Sequence, residues 1–289
     1  KGFEFYNHIL AVILQEKNIH FTQQKVTDFE ELGNHCIVKT ESQSYTCNQV
    51  FNSIFNPEII KSQSKYPLLQ QHFIGWFVKS KTAVFNPNQA TFMDFSVAQK
   101  GNTRFMYVLP FSETEALVEY TLFSKDLLET SEYENAIQDY LQKLGIAEYE
   151  ITEKEHGNIP MTSYLFWKHN SKNIINIGSA GGWTKASTGY TFKNSIKKSK
   201  ALVQLLSTET DFRKHHKKDK FWFYDLLFLD VLNRNNEKGS QVFAALFRAG
   251  NPTLIFKFLD EETSFSEDLQ VIWKCPKPLF IKALLKRIF

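Results

Sequence analysis

The chain has 289 residues, with 34 lysines and arginines against 31 aspartates and glutamates, a formal net charge of +3. This balance does not indicate a nucleic-acid partner, and the length suits one large domain or two smaller ones. Apolar runs fall short of the roughly 20 residues that a membrane-spanning helix needs. Cys36, Cys47 and Cys275 have no metal-ligand spacing, so we expect reduced thiols in a cytoplasmic protein and no metal site.

The first predicted element is a helix that ends by Lys17, and short strands separated by polar turns follow it. The apolar residues that mark the helix are Tyr6, Ile9, Leu10, Ile13 and Leu14. The strands are predicted at 19–21, 25–29, 36–40 and 45–47.

Longer strands joined by turns are predicted next, and four of them predict an antiparallel sheet. Their ranges are 70–78, 90–95, 104–109 and 116–123. Because side chains alternate along a strand, Glu119 shares a face with Leu117 and Thr121. In an apolar setting its pKa would rise, and the carboxyl could act as an acid near neutral pH. An acid that faces water on an edge strand is the interpretation that the pattern alone favours.

A helix and a further strand follow this sheet. Ser131 and Glu134 have the spacing of a capping box, and Gly145 is placed to stop the helix. A strand is predicted over 149–155. For Glu155 a structural role is expected rather than a catalytic one, either holding a turn at Gly157 or bonding the glycine-rich loop that follows.

The stretch 174–192 is the feature around which the chain is organised. It begins as an apolar strand, breaks into a glycine-rich loop and continues as a helix. Backbone in such a loop can approach a flat or anionic ligand closely, and Gly181, Gly182 and Gly189 are expected to provide the room. An ordinary strand-to-helix turn is the alternative. The residues at helical spacing in the helix are Ile196, Val203 and Leu206.

The C-terminal part is predicted to be helical. The basic run 213–218 is expected to be solvated, and the aromatic-rich run 221–230 is expected to form a helix packed on one side. The last segment, 277–289, has an apolar face with Lys282 and Lys286 opposite it. This pattern suits an interfacial helix on anionic lipid and suits equally a terminal helix docked on the protein core.

Several blocks of the sequence, in this order, resemble blocks of the lycopene cyclase family. They are 70–76, 90–95, 117–121, 155–161 and 178–192, the last reading Gly-Ser-Ala-Gly-Gly-Trp-Thr-Lys-Ala-Ser-Thr-Gly-Tyr-Thr-Phe. The resemblance implies an α+β fold, the remnant of an α/β flavoprotein, with FAD/NAD(P)-binding, p-hydroxybenzoate-hydroxylase-like architecture. Residues 1–55 and 170–210 would belong to the FAD-binding domain, 56–169 to an antiparallel-sheet substrate domain and 211–289 to a helical C-terminal region.

The resemblance also implies an activity, the acid-catalysed cyclisation of the linear ends of lycopene to β-rings, as in gamma-carotene and beta-carotene. This isomerisation has no net redox change, yet it needs reduced FAD and NAD(P)H as reductant. Glu119 falls on the motif acid that the family requires for cyclisation. The second motif acid is replaced by Tyr120, so a function that needs two carboxylates at this site is not expected.

The remaining site residues are likewise implied by the resemblance. The expected FAD-binding residues are Gly178, Ser179, Ala180, Gly181, Gly182, Thr188, Gly189 and Tyr190. Backbone N–H groups of the last three are expected to face the isoalloxazine carbonyl edge. The expected substrate-binding aromatic residues are Phe73, Trp76 and Trp183.

Three other readings remain open at this stage. A flavin-dependent hydroxylase or an isoprenoid reductase would share the fold, and a non-catalytic carotenoid- or lipid-binding protein would suit the aromatic content.

The G-x-G-x-x-G fingerprint is absent, so an N-terminal dinucleotide-binding segment is expected to be missing, and without it FAD binding should be poor. A bacterial protein is expected in the cytoplasm, peripheral to the inner face of the cell membrane.

Overall fold

The computed structural model describes residues 2–209, 211–215, 218–248 and 251–288. Part of the predicted basic run, His216 and Lys217, lies outside the described residues. So does Phe289, the last residue of the predicted terminal helix, and so does Lys1.

The described residues form a mixed structure of helices and sheets, which confirms the predicted α+β class. The helices are α1 (Gly2–Ile13), α2 (Glu58–Lys61), α3 (Thr130–Lys143), α4 (Phe192–Leu206), α5 (Lys220–Arg234), α6 (Gly239–Arg248), α7 (Pro252–Leu259), α8 (Phe265–Ile272) and α9 (Lys277–Ile288). The strands are β1 (Val26–Leu32), β2 (His35–Thr40), β3 (Ser44–Cys47), β4 (Val50–Asn52), β5 (Leu69–Ser80), β6 (Thr91–Asp94), β7 (Thr103–Pro110), β8 (Glu115–Ser124), β9 (Tyr149–Met161) and β10 (Ile174–Asn176).

The largest sheet is antiparallel and has the strand order β6-β7-β8-β5-β9, as the long-strand pattern predicts. One face packs against α3, because Tyr133, Ile137 and Leu141 form an apolar stripe at helical spacing and are buried there. Burial of each such side chain stabilises the fold by roughly 1.5–3 kcal/mol. The other face packs against the C-terminal helices, where Phe105 and Phe123 meet Leu229, Leu232 and Phe243.

Two smaller sheets complete the strands. β1, β2 and β3 form an antiparallel meander, and β4 pairs with β10 in parallel. Ile174 and Ile175 of β10 are buried, and the N–H of Ile177 donates to the carbonyl of Asn52, 2.8 Å away. This pairing anchors the start of the glycine-rich loop. The three-part division of the chain stays a prediction.

Several local predictions are wrong. Residues 19–21 form no strand, and residues 155–160 continue β9, so Gly157 does not lie in a turn. The helix α3 begins after Glu129, and no side chain caps it, so the Ser131–Glu134 capping box is absent. Gly145 does end that helix, with a φ of 76°.

The helix after the loop is confirmed as α4, but the apolar residues that predict it do not form a buried face. Ile196, Val203 and Leu206 are exposed, Val203 at 68%. The buried positions of α4 are Asn194 and Leu202. Helical spacing therefore identifies the element without identifying its buried side.

A buried ion cluster ties the glycine-rich loop to the C-terminal helices. Lys185 is 1% exposed, and its ammonium lies 3.0 Å from Asp225 Oδ1 on α5 and 3.1 Å from Glu261 Oε1 after α7. Ser187 donates to the same aspartate at 2.7 Å. Burial lowers the pKa of Lys185, but the two carboxylates raise it by more, so the lysine remains charged.

Replacing Lys185 by Met should lower the free energy of unfolding by about 3–5 kcal/mol, because it leaves the Asp225 carboxylate buried and unpaired. Urea unfolding measures this difference. The matched control is Lys193→Met, whose exposed pair with Asp260 should contribute less than about 1 kcal/mol. Equal losses in the two variants would show that the cluster is not a stabilising link.

Candidate functional site

The centre of the site is Glu119 on β8, which lies directly opposite Gly75 of β5 and Tyr107 of β7. Residues opposite one another in antiparallel strands project from the same face. Glu119 therefore projects from the face that carries Phe105 and Phe123, away from α3. The predicted sharing of a face with Leu117 and Thr121 holds, and the Thr121 hydroxyl donates to the Glu119 carboxyl.

A second carboxyl group, that of Glu155 on β9, reaches Glu119 across the central strand. Gly75 is the β5 partner of both glutamates. Because it has no side chain, the two carboxyl groups share a hydrogen bond over it. A second carboxyl group therefore lies at this site, although the motif acid next to Glu119 in sequence is replaced by Tyr120. The replaced motif acid, Tyr120, points to the other face, where its hydroxyl accepts from Arg104 Nη1 at 3.2 Å.

Burial and pairing shift the pKa of both glutamates upward. Burial raises the pKa of Glu119 to about 7, with a smaller contribution from Glu155, and the hydrogen bond from Thr121 opposes the rise. Burial also raises the pKa of Glu155, while its hydrogen bond with Glu119 lowers it. Their shared hydrogen bond therefore favours the protonated form of Glu119 over that of Glu155.

The glycine-rich loop lies over the same face of the sheet as Glu119. Tyr190 of the loop is hydrogen-bonded to Tyr107, the β7 neighbour of Glu119, and burial raises the pKa of Tyr107 well above its ordinary value. Gly189 abuts Gln71 of β5 and Ile159 of β9. The loop and the acid are therefore on one side of the sheet.

Most of the loop glycines are required by packing within the chain. A Cβ on Gly181 would lie 2.1 Å from the Asn176 carbonyl oxygen, and one on Gly182 would lie 2.7 Å from the Phe166 ring. A Cβ on Gly189 would meet Gln71 Oε1 at 2.6 Å. The sequence pattern predicts that these three glycines leave space for a ligand. That prediction is wrong, because other atoms of the protein occupy the space next to each of them. Gly178, with a φ of 57°, has open space where its side chain would be.

The backbone N–H groups expected to face a flavin carbonyl are engaged inside the loop. Those of Thr188 and Gly189 donate to the Lys185 carbonyl at 3.3 and 2.9 Å, and that of Tyr190 donates to the Thr188 hydroxyl. That part of the prediction is wrong, because the loop closes on itself as a tight turn.

The start of the loop is the part that fits a flavin. Gly178 and Ser179 begin a 3-10 turn, whose first N–H groups have no partner within the turn. Ser179 is exposed, and its hydroxyl is 3.4 Å from that of Thr184, which is 3.0 Å from that of Thr191. Open space at a glycine beside a row of hydroxyl groups suits a polyol chain such as ribityl.

Of the three predicted substrate-binding aromatic residues, Phe73 lies on the face of Glu119, with its ring against Gly157. Trp76 lies on the opposite face, buried against α3. Trp183 packs with Ile175, Leu202 and Phe212 in the core beneath the loop. Neither indole therefore faces the Glu119 carboxyl, and both assignments are wrong.

A cavity missed by the sequence analysis lies among α5 to α9. Its volume is about 350 Å³, and its walls are almost wholly apolar, with Leu227, Phe228 and Leu284 among them. At one end it reaches Ser187 and Thr188 of the loop. A smaller cavity shares those two loop residues and extends to Tyr107 and Tyr190, beside the acid. Apolar residues at helical spacing in α6, α7 and α8 are the signal that could have found it.

The other end of the cavity reaches the surface between α8 and α9, at Ile272, Lys277 and Ile281. Several apolar side chains on or next to these two helices are exposed, and we call them the α8–α9 patch. They are Phe265, Leu269, Ile272, Trp273, Ile281, Leu285 and Ile288. Trp273 is 74% exposed, and the Lys277 ammonium lies 3.6 Å from its ring centroid.

The helix α9 docks on the protein core, which is one of the two arrangements that its sequence suggests. Phe280 and Ala283 dock on α5, and Arg287 binds Asp230 through two hydrogen bonds of 2.6 and 2.9 Å. The side with Ile281 and Leu285 stays exposed, next to Lys282 and Lys286. Among the residues that the structure describes, no helix is both long enough and apolar enough to cross a membrane.

Comparison with known proteins gives a family and a fold. A family model described as lycopene cyclase protein matches residues 4–285. A lycopene beta-cyclase from a Paracoccus species is 31% identical over 104 residues, which is 34% of this chain and 27% of that protein. The crystal structure of a geranylgeranyl bacteriochlorophyll reductase-like protein from Thermoplasma acidophilum superposes with a TM-score of 0.57 at 12% identity. It covers 98% of this chain and 74% of the other.

Replacing Glu119 by Gln should make stability less dependent on pH. A buried acid whose pKa is raised stabilises the folded state fully below its unfolded value, near 4.5, and this contribution disappears as the pH rises through about 7. Glutamine has no such loss, so above pH 7 the variant should unfold with a free energy higher by on the order of 3 kcal/mol. Urea unfolding from pH 4 to 8 measures this, with the exposed β9 residue Glu150→Gln as control. Parallel curves for wild type and Glu119→Gln would refute the raised pKa.

Proposed function

The chain belongs to the lycopene cyclase protein family, and from that premise we propose that it cyclises the linear ends of lycopene to β-rings, forming gamma-carotene and beta-carotene. The observation that carries this proposal is the burial of the Glu119 carboxyl, which raises its pKa to about 7, on the face of the sheet turned toward the glycine-rich loop. An acid near pH 7 in such a position is what protonation of an alkene requires.

In the proposed reaction Glu119 donates its proton to the terminal double bond of the polyene. The neighbouring double bond attacks the resulting cation, a carbon–carbon bond closes the ring, and loss of a proton forms the ring alkene. No electrons are gained or lost overall. The cation survives only where water is excluded. The neighbouring β7 side chains of Phe105 and Tyr107 are themselves shielded from water, so this side of Glu119 is dry. The Phe73 ring lies on the same face and would stabilise the cation through its π electrons.

Reduced FAD, kept reduced by NAD(P)H, would supply negative charge beside the cation when bound. The residues that would hold it are Gly178, Ser179 and Ala180 at the start of the loop, where the open space and the hydroxyl row suit the ribityl chain. Thr188, Gly189 and Tyr190 would contribute shape, since their N–H groups are engaged within the loop.

The apolar cavity among α5 to α9 would hold the rest of the polyene. Its walls offer the uniformly apolar contact that a hydrocarbon chain needs. Through Ser187 and Thr188 it adjoins the smaller cavity that reaches Tyr107. A polyene in this position would present one end toward Glu119 and would leave the other in the helical region.

The α8–α9 patch would face the membrane from which such a substrate comes. Exposed Trp273 and Ile281 beside Lys277, Lys282 and Lys286 are a combination typical of surfaces that insert shallowly into anionic lipid. The cavity reaches the surface within this patch, so a polyene could pass from lipid to protein without crossing water. We therefore propose that the protein lies at the inner face of the cell membrane.

Replacing Glu119 by Gln should abolish ring formation, with a rate loss of about 100-fold or more, because the amide has no acidic proton to give. The complete reading frame, expressed in a lycopene-accumulating host, tests this by pigment analysis, with Glu150→Gln as the matched control. The wild-type product must have the mass of lycopene. A changed mass would indicate a hydroxylase or reductase, unchanged lycopene would indicate a binding protein, and cyclisation by Glu119→Gln would remove Glu119 from the acid role.

Replacing Trp273 and Ile281 together by Glu should weaken binding to anionic lipid vesicles by at least about tenfold, because both apolar contacts and charge attraction are lost. Vesicle co-sedimentation measures the bound fraction. The control is Ile196→Glu with Val203→Glu, which places the same two charges on exposed apolar residues of α4. Equal weakening by the control, or none in the double variant, would contradict the assignment of the patch.

A further inference from the structure

We propose that Glu119 and Glu155 act as one proton-sharing pair, in which Glu155 is a positioning residue that acts through Glu119. The proposal rests on the proposed cyclisation and deepens it. It assigns a role in the reaction to a residue on β9, a strand separated from β8 by β5.

The pair depends on Gly75. Strands two apart in a sheet are separated by roughly 9–10 Å, so carboxyl groups on β8 and β9 meet only by bending over the strand between them. At Gly75 no side chain occupies that space. A Cβ there would lie 3.0 and 3.1 Å from Cγ and Oε1 of Glu155, and 2.8 Å from Leu117 Cδ1. Any larger residue on β5 would stand between the two carboxyl groups.

Other titratable groups around the pair are acids and phenols. Glu153 of β9 acts on Glu155 through its charge, Tyr107 of β7 faces Glu119, and Tyr190 of the loop bonds to Tyr107. In the described part of the chain, no lysine or arginine forms an ion pair with either Glu119 or Glu155. The single negative charge of the pair is therefore left to interact with the cation that forms on the substrate.

The proton balance of the reaction follows from this arrangement. The pair starts with one proton, on Glu119, and one negative charge, on Glu155. Donation to the alkene forms a C–H bond and leaves two facing carboxylates, which cannot both remain ionised at low cost in a buried site. When the ring cation loses its proton, a C–H bond breaks, its electrons form the alkene, and Glu119 takes the proton. The pair is then restored without an external acid or base.

The first test is Glu155→Gln in the full-length protein, with pH–rate profiles. Ring formation in the wild type should fall as the pH rises through about 7, where Glu119 ionises. Without the negative partner this fall should occur at lower pH, and the rate above pH 7 should drop about tenfold or more. Glu150→Gln on the same strand should leave the profile unchanged. A residue with only a structural role would lower the rate equally at all pH values.

The second test is Gly75→Ala, which keeps both glutamates and separates them. It should reproduce the loss of rate above pH 7 expected for Glu155→Gln. The variant that combines Gly75→Ala with Glu155→Gln should form rings no more slowly than either single variant. This variant decides the question if Glu155→Gln does not fold, as judged by urea unfolding. Infrared titration of the protonated carboxyl band gives a readout without substrate. The band should persist to about pH 7 in wild type, disappear in Glu119→Gln and shift to lower pH in Glu155→Gln and Gly75→Ala.

The outcomes separate this inference from the proposed function. If Glu119→Gln abolishes ring formation while Glu155→Gln and Gly75→Ala keep the wild-type rate and pH profile, the pair is refuted and the acid role of Glu119 stands. If Glu119→Gln still forms rings, the proposed function fails as well.

Discussion

The constraint on which the site depends is the desolvation of a carboxyl group on one face of an antiparallel sheet. Water would ionise Glu119, whereas burial between β5 and β7 keeps its proton near neutral pH. The sheet achieves this because its two faces have different partners. α3 closes one face, and the glycine-rich loop with the C-terminal helices covers the other. The ion cluster around Lys185 holds loop and helices together, so packing far from Glu119 maintains its environment.

The same constraint links the site to the apolar cavity. A hydrocarbon substrate and a protonated carboxyl both require a region without water. The cavity among α5 to α9 adjoins a smaller one that is lined by Tyr107 and Tyr190. The opening of the larger cavity at the α8–α9 patch places apolar side chains and lysines where a polyene would arrive. The glycine-rich loop contributes Ser187 and Thr188 to both cavities, and the smaller one reaches Tyr107, the β7 neighbour of Glu119.

How much of this could be predicted from sequence depends on the range of the interaction. Alternation along β8 gives the correct face of Glu119, and the order of blocks identifies the family. The water-facing edge strand that the pattern alone favours is wrong, because β8 lies between β7 and β5 and the Glu119 carboxyl is buried there. Phe73 and Trp76 are three residues apart on one strand, so alternation alone shows that they cannot share a face and cannot both line the same site. The pairing of Glu119 with Glu155 was not predictable, because it depends on the register of β5 with both neighbours at Gly75. The role of Gly181 and Gly182 was not predictable either. Their contacts with Asn176 and Phe166 depend on tertiary packing, and in sequence such glycines look the same as glycines that bind a ligand.

The central claim is that a protein carboxyl supplies the proton that starts ring closure. Single-turnover cyclisation of lycopene by the full-length protein, equilibrated in deuterium oxide, tests it most directly. The exchangeable Glu119 proton is then a deuteron, and the proton lost by the ring cation comes from a different carbon. Mass spectrometry should find one deuterium in the first ring that each protein molecule closes, before Glu119 has taken up a proton from the substrate. Rings that contain no deuterium would contradict the account.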